Sequence, residues 1–90
     1  MLTTVELLNR VKAAYNLPSD YALSKKLGFS RQRISKYYTQ GHLLDDQGCF
    51  AVAELLDLNP AYVVACVNME RAEKKEDSVG VSFWMRHAMP

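Results

Sequence analysis

The sequence predicts an all-α fold: a compact bundle of five short helices, followed by a short apolar tail. Along most of the chain, apolar residues recur every three or four positions, which is the spacing of one face of a helix. Residue types that cap helix starts precede these segments, and glycine or proline follows several of them. No stretch shows a clear alternation of apolar and polar residues, so no strand is predicted.

Length and composition are those of one small globular domain. The chain has 90 residues, of which 49% are hydrophobic, enough for a single small core. No apolar run approaches the roughly 20 residues that span a bilayer, and the N-terminus lacks the basic start and apolar stretch of a secretory signal. We therefore expect a cytoplasmic protein with no membrane partner. Cys49 and Cys66 lack metal-ligand spacing and are expected to be buried, reduced thiols.

The first predicted helix runs from Thr4 to Tyr15. Thr3 and Glu6 have the spacing of a capping box, in which each residue satisfies a free amide of the other. The helix is expected to end before Pro18, which lacks a backbone donor. Its apolar stripe is made of Val5, Leu8, Val11 and Tyr15.

Two short helices joined by a tight turn are predicted next. Ser19 caps a helix from Asp20 to Leu27, and Ser30 caps a helix from Arg31 to Thr39. Gly28 lies between them, where a glycine can adopt the left-handed conformation that a sharp turn needs. The side chains expected to face inward are Leu23, Leu27, Ile34 and Tyr37.

The rest of the chain predicts two further helices and the tail. Asp45-Asp46 caps a fourth helix from Gln47 to Leu56, whose apolar residues, Phe50 among them, cover more than one face. Asn59-Pro60 starts a fifth helix from Ala61 to Glu76. Residues 1–77 then form the domain and residues 78–90 the tail. The tail's apolar cluster, Phe83, Trp84 and Met85, is expected either to pack back on the domain or to contact a second copy of the chain.

The third predicted helix has a polar face opposite its apolar one. At 100° per residue, Ile34 and Tyr37 fall on one side of the helix. The other side carries Arg31, Gln32, Ser35, Lys36 and Thr39. A short helix with such a face is suited to contact base edges in a DNA major groove, because arginine and glutamine pair bidentately with guanine and adenine.

The charge distribution agrees with a polyanionic partner at one end of the chain. Residues 1–42 carry seven basic and two acidic side chains, whereas residues 43–90 carry four basic and eight acidic ones. Polar and basic residues around the third helix are placed where DNA phosphates would lie. These expected phosphate contacts are Ser30, Arg33, Lys25, Lys26, Tyr38, Thr39, Gln40 and His42.

The segment from Ser19 to Gly41 resembles the helix-turn-helix of the lambda-repressor-like family, which includes Cro, phage repressors and proteins of the xenobiotic-response-element type. The similarity extends to the order of five helices over residues 2–70. Asp20 departs from the family, since many members have a phosphate-binding glutamine there, and Ser24 replaces a usual alanine. The matching features are the Ser19 cap, ALSKKLG from Ala22 to Gly28, Phe29-Ser30, and RQRIS from Arg31 to Ser35.

This resemblance implies a sequence-specific, double-stranded DNA-binding transcriptional regulator. It is expected to be a repressor of phage or prophage type, in a prokaryotic cell or a phage-infected host, that binds a pseudo-palindromic operator as a homodimer. The resemblance assigns base reading to Arg31, Gln32 and Lys36, with Ser35 on the same face. The dimer contact is expected in the late part of the fifth helix and in Phe83, Trp84 and Met85.

A protein-interaction module, such as an antitoxin or an inhibitor of another regulator, is the alternative reading. Its active surface would be the fifth helix and the tail, and a near-neutral net charge fits it as well. An enzyme is not expected, because the sequence has no GxSxG, no HExxH and no phosphate-binding glycine loop. No cofactor, metal ion or small-molecule substrate is expected either.

Overall fold

The computed structural model describes residues 1–88, which fold into six helices with no strand among them; residues 89–90, the end of the expected tail, lie outside the described part. This confirms the all-α class but corrects the count of five helices, because the segment expected to be a tail begins with a helix of its own. Within residues 1–88, no helix has the length and apolarity needed to cross a bilayer. The helices are α1 (Thr4–Ala14), α2 (Asp20–Leu27), α3 (Arg31–Thr39), α4 (Asp46–Leu56), α5 (Pro60–Lys74) and α6 (Ser78–Ala88).

The predicted caps set most of the helix starts. Thr3 Oγ1 accepts a hydrogen bond from the Glu6 amide at 3.2 Å, and Glu6 Oε1 accepts one from the Thr3 amide at 3.3 Å, which completes the capping box. The observed bounds of α2 and α3 are the predicted ones. α5 ends two residues earlier than predicted, because Glu76 has a positive φ of 54° and cannot continue the helix.

The core lies between α1, α4 and α5 and extends to the inner sides of α2 and α3. Three residues expected in the apolar stripes lie outside it; of these, Val5 of α1 is only partly buried, and Leu7 is buried in the core instead. Tyr15 follows the end of α1 and is exposed, with its hydroxyl donating to the Leu55 carbonyl at 2.7 Å. Phe50 on α4 is 51% exposed. The buried residues that form the core are Leu7, Leu8, Val11, Leu23, Ile34, Tyr37, Leu44, Cys49, Val52, Ala53, Val63 and Val67.

α6 packs along α5 and covers a second, smaller apolar cluster. Ala88 is buried against Ala65 and Cys66 of α5, and Trp84 is half-buried beside them. Gly80 does not prevent this helix, since its amide donates to Asp77 Oδ1 at 2.9 Å, and an added Cβ would collide with that carboxylate. Of the three residues expected at a dimer contact, Trp84 thus packs within its own chain, while Phe83 and Met85 are exposed.

A polar network ties α5 to the start of α1 and to the loop between α3 and α4. Glu70 Oε1 accepts hydrogen bonds from the amide and the hydroxyl of Thr4, at 2.8 and 3.0 Å. The Thr4 hydroxyl oxygen in turn accepts a bond from the Leu44 amide at 3.4 Å. Arg71 donates to the Leu44 carbonyl at 3.3 Å, and Lys74 donates to the Gly41 carbonyl at 2.7 Å.

Replacing Gly28 with alanine should lower the free energy of unfolding by about 1 kcal/mol. Gly28 has a φ of 74°, and an added Cβ would meet nothing within 4 Å, so the cost is backbone strain alone. Urea denaturation measures it. Gly28→Asn is the matched control and should lose less, because asparagine tolerates the left-handed region better. Equal stability of Gly28→Ala and the wild type would contradict this assignment.

Both thiols should be unreactive in the folded protein. Cys49 and Cys66 are buried, and burial raises the pKa of the Cys49 thiol to about 12, so the nucleophilic thiolate is scarce at pH 8. We expect an aromatic disulfide reagent to label neither cysteine in buffer at pH 8 and both in urea. Labelling of the native protein faster than its unfolding would show that a thiol is accessible.

Candidate nucleic-acid interface

The polar surface of α3, which we call the α3 face, consists of Arg31, Gln32, Ser35 and Lys36. All four side chains are exposed. Ile34 and Tyr37, on the other side of the same helix, are 0% and 5% exposed. The separation of a buried and a polar surface on this nine-residue helix is therefore as the sequence predicts.

The link between α2 and α3 fixes the direction in which the α3 face points. Ser19 Oγ accepts from the Ala22 amide and Ser30 Oγ accepts from the Arg33 amide, each at 3.1 Å. Between these caps, Gly28 turns the chain, and the amide of Phe29 donates to the Ser24 carbonyl at 2.9 Å. Only three residues separate the helices, so α3 has little freedom relative to α2.

A depression of about 310 Å³ lies beside the α3 face and collects several predicted site residues. Ser30, Gln32, Lys36 and His42 all line it. The exit loop places His42 there, because the amides of Gln40 and His42 both donate to the Lys36 carbonyl, at 3.0 and 3.3 Å. The chain can double back in this way since Gly41 has a φ of 67°.

Arg33, predicted as a phosphate contact, uses its guanidinium group within the fold. Its Nε donates to the Tyr37 hydroxyl at 2.7 Å and its Nη2 donates to Asp45 Oδ1 at 3.1 Å. The guanidinium carbon also lies 3.6 Å from the centre of the Phe29 ring. Because Asp45 is the N-cap of α4, Arg33 joins α3 to the start of α4, and the sequence alone did not predict this role.

Tyr38 and Thr39 also have partners within the chain. The Tyr38 hydroxyl donates to Asn9 Oδ1 at 2.8 Å, and the Lys12 ammonium lies 4.5 Å from the Tyr38 ring centre. Burial raises the pKa of Tyr38, against the lowering effect of Lys12. The Thr39 hydroxyl donates to the Ser35 carbonyl at 2.8 Å. Tyr38 therefore lies on the α1 side of α3, away from the depression, while Thr39 and Gln40 remain exposed at the helix end.

Two exposed tyrosines that were not predicted as site residues lie under the basic side chains of this surface. The Lys25 ammonium and the Arg31 guanidinium lie 5.1 and 5.2 Å from the centre of the Tyr21 ring. The Lys26 ammonium lies 4.2 Å from the centre of the Tyr15 ring. The four-residue spacing of Tyr21 and Lys25 on α2 is the signal that could have predicted the first contact.

The cations of this surface are not neutralised by nearby carboxylates. Among residues 1–88, the ion pairs are Lys12 with Asp20 and Arg33 with Asp45. Lys25, Lys26, Arg31 and Lys36 take part in neither, so the surface keeps their positive charge. Over the same residues, no group of three histidine, cysteine or acidic side chains is placed to hold a metal ion.

Comparisons of the chain with protein-family models, with curated proteins and with solved structures found no match. The resemblance to the lambda-repressor-like family consequently depends on the sequence features from Ser19 to Gly41 that are given above.

Replacing Arg33 with alanine should lower the free energy of unfolding by about 2 kcal/mol, through the loss of two charge-assisted hydrogen bonds and the contact with Phe29. Lys36→Ala, on the α3 face, is the control and should change it by less than about 0.5 kcal/mol. Urea denaturation of both variants tests this. Equal stabilities of the two variants would contradict a structural role for Arg33.

Proposed function

We propose that the protein is a sequence-specific, double-stranded DNA-binding transcriptional regulator that places α3 in the major groove. The observation that carries this proposal is the α3 face: four exposed polar side chains on a short helix whose opposite side is buried. A helix of this kind fits the major groove, which is about 12 Å wide. With α2 and the turn at Gly28, α3 would form a helix-turn-helix.

Base reading is assigned to Arg31, Gln32, Ser35 and Lys36. Arginine and lysine donate to guanine O6 and N7, and glutamine makes a donor and acceptor pair with adenine. Arg31 and Gln32 lie in the first turn of α3, and the N-terminal residues of a recognition helix approach base edges most closely. Ser35 and Lys36 follow one turn later on the same side.

Phosphate contacts are assigned to exposed residues around this face. Lys25 and Lys26 lie on α2, and Ser30 and His42 lie at the depression beside α3. Thr39 and Gln40 are at the end of α3. Arg33 and Tyr38 contribute to this set less directly, because their hydrogen-bonding groups hold α3 to α4 and to α1. Contacts of this kind position the protein and make binding salt-dependent.

The proposed regulator is a repressor of phage or prophage type that acts in the cytoplasm of a prokaryotic cell or phage-infected host. One α3 face spans only a few base pairs, so specificity calls for two copies on a pseudo-palindromic operator with half-sites about 10 bp apart. Such an arrangement requires a self-complementary surface elsewhere on the chain.

A protein-interaction module is the second candidate, and the exposed side of α6 favours it. Val79 is 79% exposed, and Phe83 and Met85 are 43% and 42% exposed. If this surface carries the function, Phe83→Ser should abolish activity in cells. Neither the purified wild type nor the purified variant should then bind DNA. Deletion of residues 78–90 is a poorer test, because it would uncover Cys66 and Ala65.

Selection from a randomised DNA duplex library, followed by fluorescence-anisotropy titration, tests the leading proposal. The wild type should enrich one defined sequence. Gln32→Ala and Arg31→Ala should bind that sequence about tenfold or more weakly, because each loses a bidentate base contact worth ~1–3 kcal/mol. Lys25→Ala should enrich the same sequence with lower affinity and a shallower dependence on salt concentration.

The matched control is Arg10→Ala, which removes a positive charge from the exposed side of α1 and should leave binding unchanged. Two outcomes would contradict the proposal. One is the absence of any enriched sequence. The other is wild-type affinity and selectivity in both Gln32→Ala and Arg31→Ala.

A further inference from the structure

α6 has opposite charges at its two ends and an uncovered side between them. Its start follows the acidic residues Glu76 and Asp77, and its last turn carries Arg86 and His87. The buried side, with Trp84 and Ala88, packs on α5. At 100° per residue, Val79, Ser82 and Arg86 fall within an arc of about 60° on the opposite side. We call these three residues the outer side of α6.

A depression of about 410 Å³ lies at the acidic end of this helix. Three carboxylates, those of Glu73, Glu76 and Asp77, line it together with Ser78, Val81 and Ser82. The two neighbouring lysines do not line it: Lys74 donates to the Gly41 carbonyl, and Lys75 is exposed beyond it. The depression thus combines three carboxylates with the apolar side chain of Val81, a combination suited to a guanidinium group on its aliphatic stem.

We propose that a second copy of this chain docks on the outer side of α6, antiparallel to the first, and that Arg86 of each copy enters the acidic depression of the other. The pairing is self-complementary, as a two-fold interface must be. An antiparallel arrangement brings the basic end of one helix to the acidic end of the other, whereas a parallel arrangement would bring like charges together.

The positions along the helix fit a two-fold axis near Ser82. Arg86 and Ser78 each lie four residues from Ser82, which is about 6 Å along the axis. The axis therefore sets Arg86 of one copy beside Ser78 of the other, and Ser78 lines the acidic depression. Ser82 at the crossing is small enough for the two helices to approach closely. Val79 lies in the contact, and Phe83 and Met85, which are also exposed in the single chain, flank it.

The basic end of α6 is already ordered for this contact. The protonated Nδ1 of His87 donates to the Phe83 carbonyl at 2.8 Å, and the two rings lie 4.4 Å apart between centres. Phe83 also meets Trp84 edge-on at 5.0 Å. These contacts limit the rotamers of the aromatic side chains beside Arg86, so less conformational entropy is lost on docking.

The small size of the surface predicts a weak dimer. An 11-residue helix is about 16 Å long, and one such face buries less than the ~800 Å² per partner of a standard stable interface. We therefore expect a dissociation constant in the micromolar range. Such a dimer would be mainly monomeric when dilute and would assemble at adjacent half-sites, where the effective concentration is high.

The role of this dimer in operator binding rests on the proposed function, whereas the dimer itself does not. Its test needs no DNA. Sedimentation equilibrium of the full chain should show an exchange between monomer and dimer over micromolar concentrations. Arg86→Glu alone and Glu73→Lys/Glu76→Lys alone should each weaken dimerisation by about tenfold or more. In the first variant, the introduced glutamate meets the native carboxylates at both contacts of the pair. In the second, the native Arg86 meets the introduced lysines at both contacts.

An equimolar mixture of these two variants is the decisive measurement. In a mixed pair, the glutamate introduced at position 86 of one chain meets the lysines introduced at positions 73 and 76 of the other. At the second contact of the same pair, the native Arg86 meets the native carboxylates. Both contacts are then complementary, so the mixture should recover association close to that of the wild type. This recovery also shows that the variants fold, which circular dichroism of each one checks independently.

Arg10→Glu is the matched control for Arg86→Glu, since it makes the same change of net charge at an exposed position of α1 and should leave dimerisation unchanged. A wild type that stays monomeric at millimolar concentration would overturn the inference, as would variants that associate like the wild type or a mixture that does not recover. The outcomes for the two proposals are separable. A monomer that still selects a DNA sequence leaves the proposed function standing, and a charge-dependent dimer without DNA binding leaves this interface standing.

Discussion

The carboxylate of Glu70 is the constraint on which the arrangement of the helices depends. Glu70 is half-buried, and donors must replace the part of its hydration that the carboxylate loses; the amide and hydroxyl of Thr4 do so. Thr4 is only 1% exposed, and its hydroxyl oxygen also receives the Leu44 amide. One buried residue at the start of α1 therefore connects α5 with the loop that follows α3. These bonds limit where the loop after α3 can lie.

α3 is held from three directions, which explains how so short a helix presents a defined surface. Its apolar side enters the core through Ile34 and Tyr37. Arg33 binds the cap of α4, and Tyr38 binds Asn9 of α1. The residues left over for contact with another molecule are then those of the α3 face. Fixing a helix before it binds reduces the entropy lost on binding, and this is useful for any partner that α3 recognises.

The sequence predicted the features that depend on residues close together along the chain. The Thr3 and Glu6 capping box and the bounds of α2 and α3 are local, and all were predicted. The apolar spacing did not predict burial correctly everywhere. Tyr15 lies past the end of α1, where helical spacing no longer applies, and Phe50 lies on the exposed side of α4. Contacts between distant residues could not be predicted, because Thr4 and Glu70 are 66 positions apart. The same holds for the bond of Arg33 to Asp45. The sequence left open whether the tail packs back on the domain, but it predicted neither the α6 helix nor its contact with Ala65 and Cys66.

The single tryptophan of the chain lies far along the sequence from α3, and this placement gives α6 a fluorescence signal of its own. Trp84 is half-buried between Ala65, Cys66 and Ala88 of its own chain and the aromatic ring of Phe83. Its emission therefore reports the polarity around α6, whereas the exposed tyrosines, Tyr15 and Tyr21, lie beside the basic residues of α2 and α3. Excitation at the long-wavelength edge of the absorption band reaches this indole and none of the five tyrosines, so an unlabelled sample reports changes around α6 without a contribution from α2 or α3.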